Sequence, residues 1–361
     1  MTAPQRPPVI ASGEMGMRVG IGLFTGQVPA GSDRSFAQEY RDTVELVRLA
    51  ETVGFDAAWV SEHHGASDGY LPSLLVMLAA LAEATSTIRL GTGVILTPFH
   101  DPLRLAEDAA VVDQLSGGRL TIGLGIAWRE EEFRMFGVPV RERLPRTLDT
   151  VAILRKAWTG ERFSHDGEVY GYDRVRVTPP PAQPGGPPIL LGGYVDAALR
   201  RAGEIGDGHI TDADDLVHVR KAVTLMSEGA RAVGRDPDRL HLALMANAFV
   251  AEDRAWEIAG PGVLHQLGAY EAWDAGHDTP EHDSLEAIVS DEHAARRATA
   301  AGSPDDVAHA LEPFVRSFGA RAEADLIVRL HYPGMALDDA ARAVTLFGEQ
   351  VLPALRAIAA G

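Results

Sequence analysis

From Met17 onward the chain alternates short apolar runs with longer stretches in which apolar residues recur every three or four positions. The short runs have too few polar positions for a half-solvated strand and read as strands buried on both faces. The first four are Met17–Phe24, Asp56–Val60, Ile88–Leu96 and Arg119–Leu124. Helical periodicity follows each, over residues 35–53, 72–84, 103–115 and 146–158, with Pro72 suited to a first helical turn. A hairpin pattern over 165–177 and a Pro/Gly-rich connector over 178–188 interrupt the alternation. Strands then resume at 189–191, 208–211, 240–250 and 325–330, with helices predicted over 196–205, 214–233 and 338–359. Eight strands each followed by a helical segment predict an α/β fold, a (β/α)8 TIM barrel, as a single domain over 17–361. Residues 261–299 exceed an ordinary connection and are expected to be an insertion over the barrel mouth, either a lid or a surface excursion. Residues 1–16 read as a disordered leader lacking a secretory pattern.

Composition narrows the function. The 361 residues carry 51 acids against 33 bases, a formal net charge of −18, and no cysteine. Such a field repels phosphate backbones, which argues against nucleic-acid and anionic-membrane partners. The lack of cysteine removes disulfides, thiolate metal sites and a Cys nucleophile. No apolar run approaches the ~18 residues of a membrane span, and the cytoplasm is the expected compartment. A doubly wound sheet is the structural competitor, because Gly20, Gly22 and Gly26 mimic a dinucleotide-binding turn. Gln27–Ser32 continues as loop, however, where that turn must open a helix.

Four motifs can carry chemistry. The second strand ends in Glu62-His63-His64, at the position where α/β barrels place their active sites. Adjacent side chains diverge, so one imidazole can face the mouth while the other packs beneath a loop. A mouth-facing histidine exchanges protons near neutral pH, and Glu62 is a candidate to set its tautomer. Metal hydrolysis is a weaker alternative, since the pair is His-His rather than His-x-His, and no metal ligand set is assigned. Next, Gly91-Thr92-Gly93-Val94 interrupts the third strand, as a bulge, a packing accommodation or clearance for a flat ring. At the end of the fourth strand, small residues of the run Gly123–Ala127 open space that Trp128 and Arg129 line, Arg129 being a plausible phosphate partner. The three acids Glu130–Glu132 read as a solvated helix face. Finally, Gly192-Gly193-Tyr194 leads into a helix and forms a candidate anion cradle.

Together these words resemble the bacterial luciferase-like family of flavin-dependent monooxygenases. The resemblance lies in WVSEHH (59–64), IRLGTGVILTPFHDPLRLAEDAAVVDQLSGGRLTIGLG (88–125), WREEEFRMFG (128–137), PILLGG (188–193) and RLHYPGM (329–335). It implies a TIM barrel that binds FMN at its C-terminal mouth, usually as a dimer, and oxygenates an aldehyde, ketone or similar small molecule with O2. By position, His63 corresponds to the family's active-site histidine, with Glu62 and His64 beside it. The Gly93–Val94 bond falls where relatives have a cis peptide under the flavin ring, and Gly193 and Tyr194 fall where backbone amides hold the flavin phosphate. Two departures stand out: Ile126 and Ala197 occupy positions where luciferase has a phosphate-binding arginine and threonine. Gly125 replaces luciferase's reactive cysteine, so light emission is not implied. With no nicotinamide motif, reduced FMN is expected from a separate flavin reductase. The alternatives are a deazaflavin-dependent oxidoreductase on the same fold and a non-catalytic flavin-binding barrel.

Overall fold

The computed structural model describes residues 16–213, 215–277, 292–319 and 321–360. The leader expected over 1–16 lies outside the described residues except for Gly16, and so do residues 278–291 of the expected insertion. The strands are β1 (Gly16–Phe24), β2 (Ala57–Val60), β3 (Arg89–Thr92), its short continuation β4 (Ile95–Leu96), β5 (Leu120–Gly125), the hairpin β6 (Phe163–Asp166) and β7 (Gly171–Val175), β8 (Ile189–Gly192), β9 (Gly208–Asp212), β10 (His241–Val250), β11 (Thr299–Gly302) and β12 (Glu323–Arg329). Parallel pairing runs β12-β1-β2-β3-β5-β8-β9-β10 and back to β12, closing an eight-stranded barrel. The hairpin stands apart, and β11 extends the sheet by pairing with the end of β10.

Helices cover the outside: α1 (Phe36–Thr52), α2 (Leu74–Ala84), α3 (Pro102–Ser116), α4 (Glu130–Phe136), α5 (Arg143–Ala157), α6 (Asp196–Ile205), α7 (Leu216–Ala232), α8 (Ala255–Asp274), α9 (Glu292–Arg297), α10 (Pro304–Ser317), α11 (Leu337–Leu346) and α12 (Leu352–Ala360). Local chemistry fixes several starts. Ser35 and Gln38 form a capping box on α1, Ser303 and Asp306 one on α10, and Asp101 caps α3 ahead of Pro102. A π-helical turn joins α11 to α12. The resulting Leu337–Ala360 rod is long and apolar enough to cross a membrane by length and composition alone. Its Ala340, Val344, Phe347, Val351 and Leu355 are buried in the shell of the barrel, as a core helix requires.

The barrel interior is layered by the two-residue period of its strands. At the N-terminal end, Arg18 of β1 pairs with Glu323 and Asp325 of β12 at 2.5 and 2.7 Å, and His241 of β10 bonds the same Asp325. The middle layer holds Leu23, Ala57, Trp59, Leu190, Ile210, Ala243 and Ile327. Trp59 takes the space that glycine leaves on the neighbouring strands. A Cβ on Gly91 would lie 2.3 Å from its ring, and one on Gly20 would lie 3.0 Å away. The flat ring for which Gly91 clears room is therefore this indole. Gly93 sits over the same layer, where a Cβ would meet Leu23 at 2.7 Å and Ile210 at 3.3 Å. The Gly93–Val94 peptide is cis, as the resemblance implies, and so are Gly22–Leu23 and Thr178–Pro179.

The expected insertion at 261 opens inside an ordered element. Pro261 is the seventh residue of the 20-residue α8, which buries Trp256, Val263, His265, Ala269, Ala272 and Trp273. That helix supplies side chains to the mouth.

Candidate active site at the barrel mouth

His63 follows β2 at the C-terminal end of the barrel and is 4% exposed. Its Nδ1 lies 2.9 Å from Oε1 of Glu132, and the backbone N–H of His64 donates to the same oxygen at 2.9 Å. Glu132 is 0% exposed, on the inner face of α4 beside the buried Phe133. It is thus not part of a solvated acidic face. A carboxylate there accepts from Nδ1–H, which leaves the Nε2 lone pair of His63 as the proton acceptor. No hydrogen bond among the described residues engages Nε2.

Aromatic rings surround this imidazole. Tyr70 and Trp273 have centroids 4.9 Å from it, Tyr270 5.5 Å and Trp128 6.1 Å. The Tyr70 hydroxyl bonds Ser61 Oγ at 3.0 Å and the Tyr270 hydroxyl at 3.1 Å, tying the loop after β2 to α8. A second tie joins Asp68 to His265 of α8 at 2.9 Å, with Gln27 donating to the same carboxylate at 2.6 Å. Neither Glu132 nor the α8 aromatics were expected from sequence.

Glu62 does not set the tautomer of His63. Its Oε1 lies 2.7 Å from His64 Nε2 and 2.9 Å from His100 Nε2, in a separate triad whose His100 is half-buried. Burial works against charge on Glu62, but these two imidazoles outweigh it and hold the carboxyl down at about 2. Burial also works against charge on His100, and the bond to Glu62 overrides it, so the His100 pKa is raised. The three ligand-type atoms lie within 4.8 Å of one another. Their separations are those of hydrogen bonds, so the cluster is read as a support for the loop.

Arg129 is also committed to structure. Its 2% exposed guanidinium donates to His64 O at 2.8 Å and to Glu131 at 2.7 Å, and lies 4.3 Å above the Trp273 ring. It locks the histidine loop and does not wait for a phosphate. Trp128 is half-exposed at the rim, while Ala127, with φ +55°, is buried against Leu96 and Phe133.

The glycine turn is where an anion finds donors. Gly193 has φ +142°, and a Cβ on Gly192 would meet nothing closer than 3.6 Å. Val195 is the N-cap of α6 without a side-chain cap bond, and both Tyr194 and Val195 are exposed. The start of α6 therefore faces solvent and offers backbone N–H groups to a phosphate ahead of Ala198, whose own N–H already donates to Val195 O at 2.8 Å. Lys221 pairs with the exposed Asp196 at 2.6 Å and offsets its charge. Tyr194 donates its hydroxyl to Asp212 at the end of β9. Gly93, Val94, the Gly192–Val195 turn and His63 all stand on C-terminal strand ends, so these residues fit a flavin spanning the mouth. A surface cleft of about 720 Å³ lined by Phe249, Glu252, Ile258, Asp338 and Arg342 does not include them.

A parallel barrel with a His63–Glu132 pair at its mouth and the glycine turn before α6 across it places these candidate residues where α/β-barrel enzymes carry their active sites. Residues 17–322 match the family described as luciferase-like monooxygenase, and the chain belongs to that family. Its members are oxidoreductases that include monooxygenases and F420-dependent dehydrogenases. An F420-dependent glucose-6-phosphate dehydrogenase of Nakamurella multipartita is 29% identical over 341 residues, covering 88% of this chain and 93% of that one. The 4-hydroxyprotoasukamycin monooxygenase of Streptomyces nodosus subsp. asukaensis is 27% identical over 316 residues, covering 84% of each. The crystal structure of monooxygenase RslO1 from Streptomyces bottropensis superposes with a TM-score of 0.78 at 28% identity, over 93% of this chain and 99% of that one.

Proposed function

We propose that this chain is a flavin-dependent monooxygenase that uses reduced FMN and O2 to oxygenate a small organic substrate, with His63 as the proton-transferring residue. One observation carries the reading: His63 is buried with its Nδ1 held by Glu132 inside the enclosure of Tyr70, Tyr270, Trp273 and Trp128. Bound reduced FMN would supply the electrons that activate O2. The enclosure excludes water, which keeps the activated oxygen for the substrate. A fixed tautomer presents Nε2 to accept a proton and, once protonated, to stabilise developing negative charge. Gly193, Tyr194 and the start of α6 would hold the phosphate, while Gly93 and Val94 would underlie the ring.

A deazaflavin-dependent hydride transfer is the second reading, favoured by the 29% identity to the F420-dependent glucose-6-phosphate dehydrogenase. A non-catalytic flavin-binding barrel is the third, and the intact His63–Glu132 pair argues against it. The first reading takes its reduced flavin from a separate reductase and places the protein in the cytoplasm. It also takes a homodimer as the working unit, in keeping with the exposed Val76 of α2 and Val111 and Leu115 of the adjacent α3. Anaerobic titration with reduced FMN and with reduced deazaflavin, followed by O2, tests it. Tight FMN binding with rapid oxygen consumption that His63→Ala alters is the expected result. Deazaflavin binding without FMN binding would move the assignment to hydride transfer.

A further inference from the structure

Arg329 ends β12, and the alternation of Asp325, Ile327 and Arg329 places it on the inner face, one layer above Ile327 at the mouth. It is 6% exposed, its Nη1 is buried without a hydrogen-bond partner, and no ion pair to it occurs among the described residues. The guanidiniums of the buried Arg119 and the partly buried Arg18 are used differently. Arg119 donates to Ser116 O, Thr85 Oγ1, Ile88 O and Ala82 O, and Arg18 pairs with Glu323 and Asp325. A desolvated guanidinium with a free donor is costly unless a partner arrives.

Its surroundings say what kind of partner fits. The charge of Arg329 acts on Tyr70, Tyr270 and Asp212, which come from three different elements of the mouth. Asp212 accepts from Tyr194 and forms no ion pair with Arg329. In a chain of net charge −18, this is a cationic donor facing an aromatic enclosure. Arginine binds carboxylates through two parallel N–H···O bonds, and aromatic walls favour a planar body.

We infer that Arg329 is a specificity-determining residue that anchors the carboxylate of a planar, preferably aromatic, organic acid, which makes such acids the substrate class of this site. The inference rests on the mouth being the active site as proposed above. Calorimetric titration with benzoate and 2-naphthoate against the corresponding amides tests it, on wild type, Arg329→Lys and Arg329→Met. Reduced FMN is titrated in parallel. At least one of the two acids binds wild type at least about tenfold more tightly than its amide. Arg329→Met loses at least about tenfold of that affinity, while the affinity for reduced FMN stays within about twofold. Arg329→Lys, which keeps the charge but not the fork, falls between. Should Arg329→Met fail to fold, the acid/amide ratio and the Arg329→Lys arm still decide. No acid binding to wild type, equal affinity for acid and amide, or acid binding that survives Arg329→Met overturns the inference. So does an equal loss of FMN affinity in Arg329→Met, because the anion held there would then belong to the flavin. Absence of flavin binding with intact acid binding counts against the proposed function and not against the anchor.

Discussion

Replacing Glu132 separates its structural work from its effect on His63. One oxygen of this carboxylate serves two buried partners, His63 Nδ1 at 2.9 Å and the His64 N–H at 2.9 Å. Glu132→Ala leaves both donors without an acceptor, at about 1–3 kcal/mol each, so a total near 2–6 kcal/mol is expected. For a chain of 361 residues an unfolding entropy of about 2.1 cal/mol/K per residue makes each kcal/mol worth about 1.3 °C, hence a fall in Tm of about 3–8 °C. Glu132→Gln keeps an acceptor oxygen but not the charge, and should cost about 1.5 kcal/mol or less. The diagnostic readout is the tautomer, read from ¹⁵N–¹H correlation spectra of histidine-labelled protein. Wild type and Glu132→Gln should show His63 protonated at Nδ1, and Glu132→Ala should show a mixture or the Nε2–H form. An unchanged His63 tautomer in Glu132→Ala, with Tm preserved, would refute the claim that this carboxylate fixes the base.

Acid should weaken the fold through two buried histidines. Burial, only partly opposed by the Leu191 carbonyl, lowers His209 to about 4, and burial with the nearby Arg34 charge lowers His331 to about 4. Folded values below the ordinary 6.5 mean that the unfolded chain takes up protons first. The stability is present above pH 6.5 and lost as pH falls towards 4, by up to about 3 kcal/mol per group. Glu39, pushed up to about 7 by burial, runs the other way and loses its contribution as pH rises through 7. The check is therefore the slope of urea stability against pH in His209→Gln, which should be shallower than wild type below pH 6.5; an equal slope removes His209 from the account. Gly91→Ala puts a Cβ 2.3 Å from the Trp59 ring and should cost about 1–3 kcal/mol or more, seen as a lower Tm and a changed tryptophan emission. Glu62→Gln removes the charge that raises the His100 pKa, so the upward shift of His100 should disappear in an NMR titration, and its persistence would assign that shift to another group.

Much of the barrel was legible because a buried parallel strand leaves an unmistakable apolar run, and β2, β5, β8, β9 and β10 all stand within a residue or two of their expected limits. The mouth position of Glu62, His63 and His64 followed from the end of such a run. What the pattern concealed was the division of labour among them. Glu132 sits among three consecutive glutamates in a seven-residue helix, too short for a period of 3.6 to show which of them faces inward. Its neighbour Phe133 was the available signal, since both are buried on one side of α4. The α8 aromatics were obscured for the opposite reason. That helix is covered on several sides, so Tyr270 and Trp273 belong to no amphipathic stripe, and the insertion expected from 261 cuts across its middle.

Arg329 ends the inner face of β12 at the barrel mouth. Its sequence position after Asp325 and Ile327 assigns it to the inner face of β12, a fact available from the period of the strand. At the N-terminal end of the same face, Asp325 is answered by Arg18 and His241. The two ends differ: the charges at the closed end of the barrel are mutually neutralised, while the guanidinium at the open end keeps a buried donor unbonded. Stability favours the first arrangement and gains nothing from the second. The asymmetry along one strand face therefore distinguishes charge that holds the barrel shut from charge held ready for a ligand, and it puts that readiness at the end where His63 presents its Nε2.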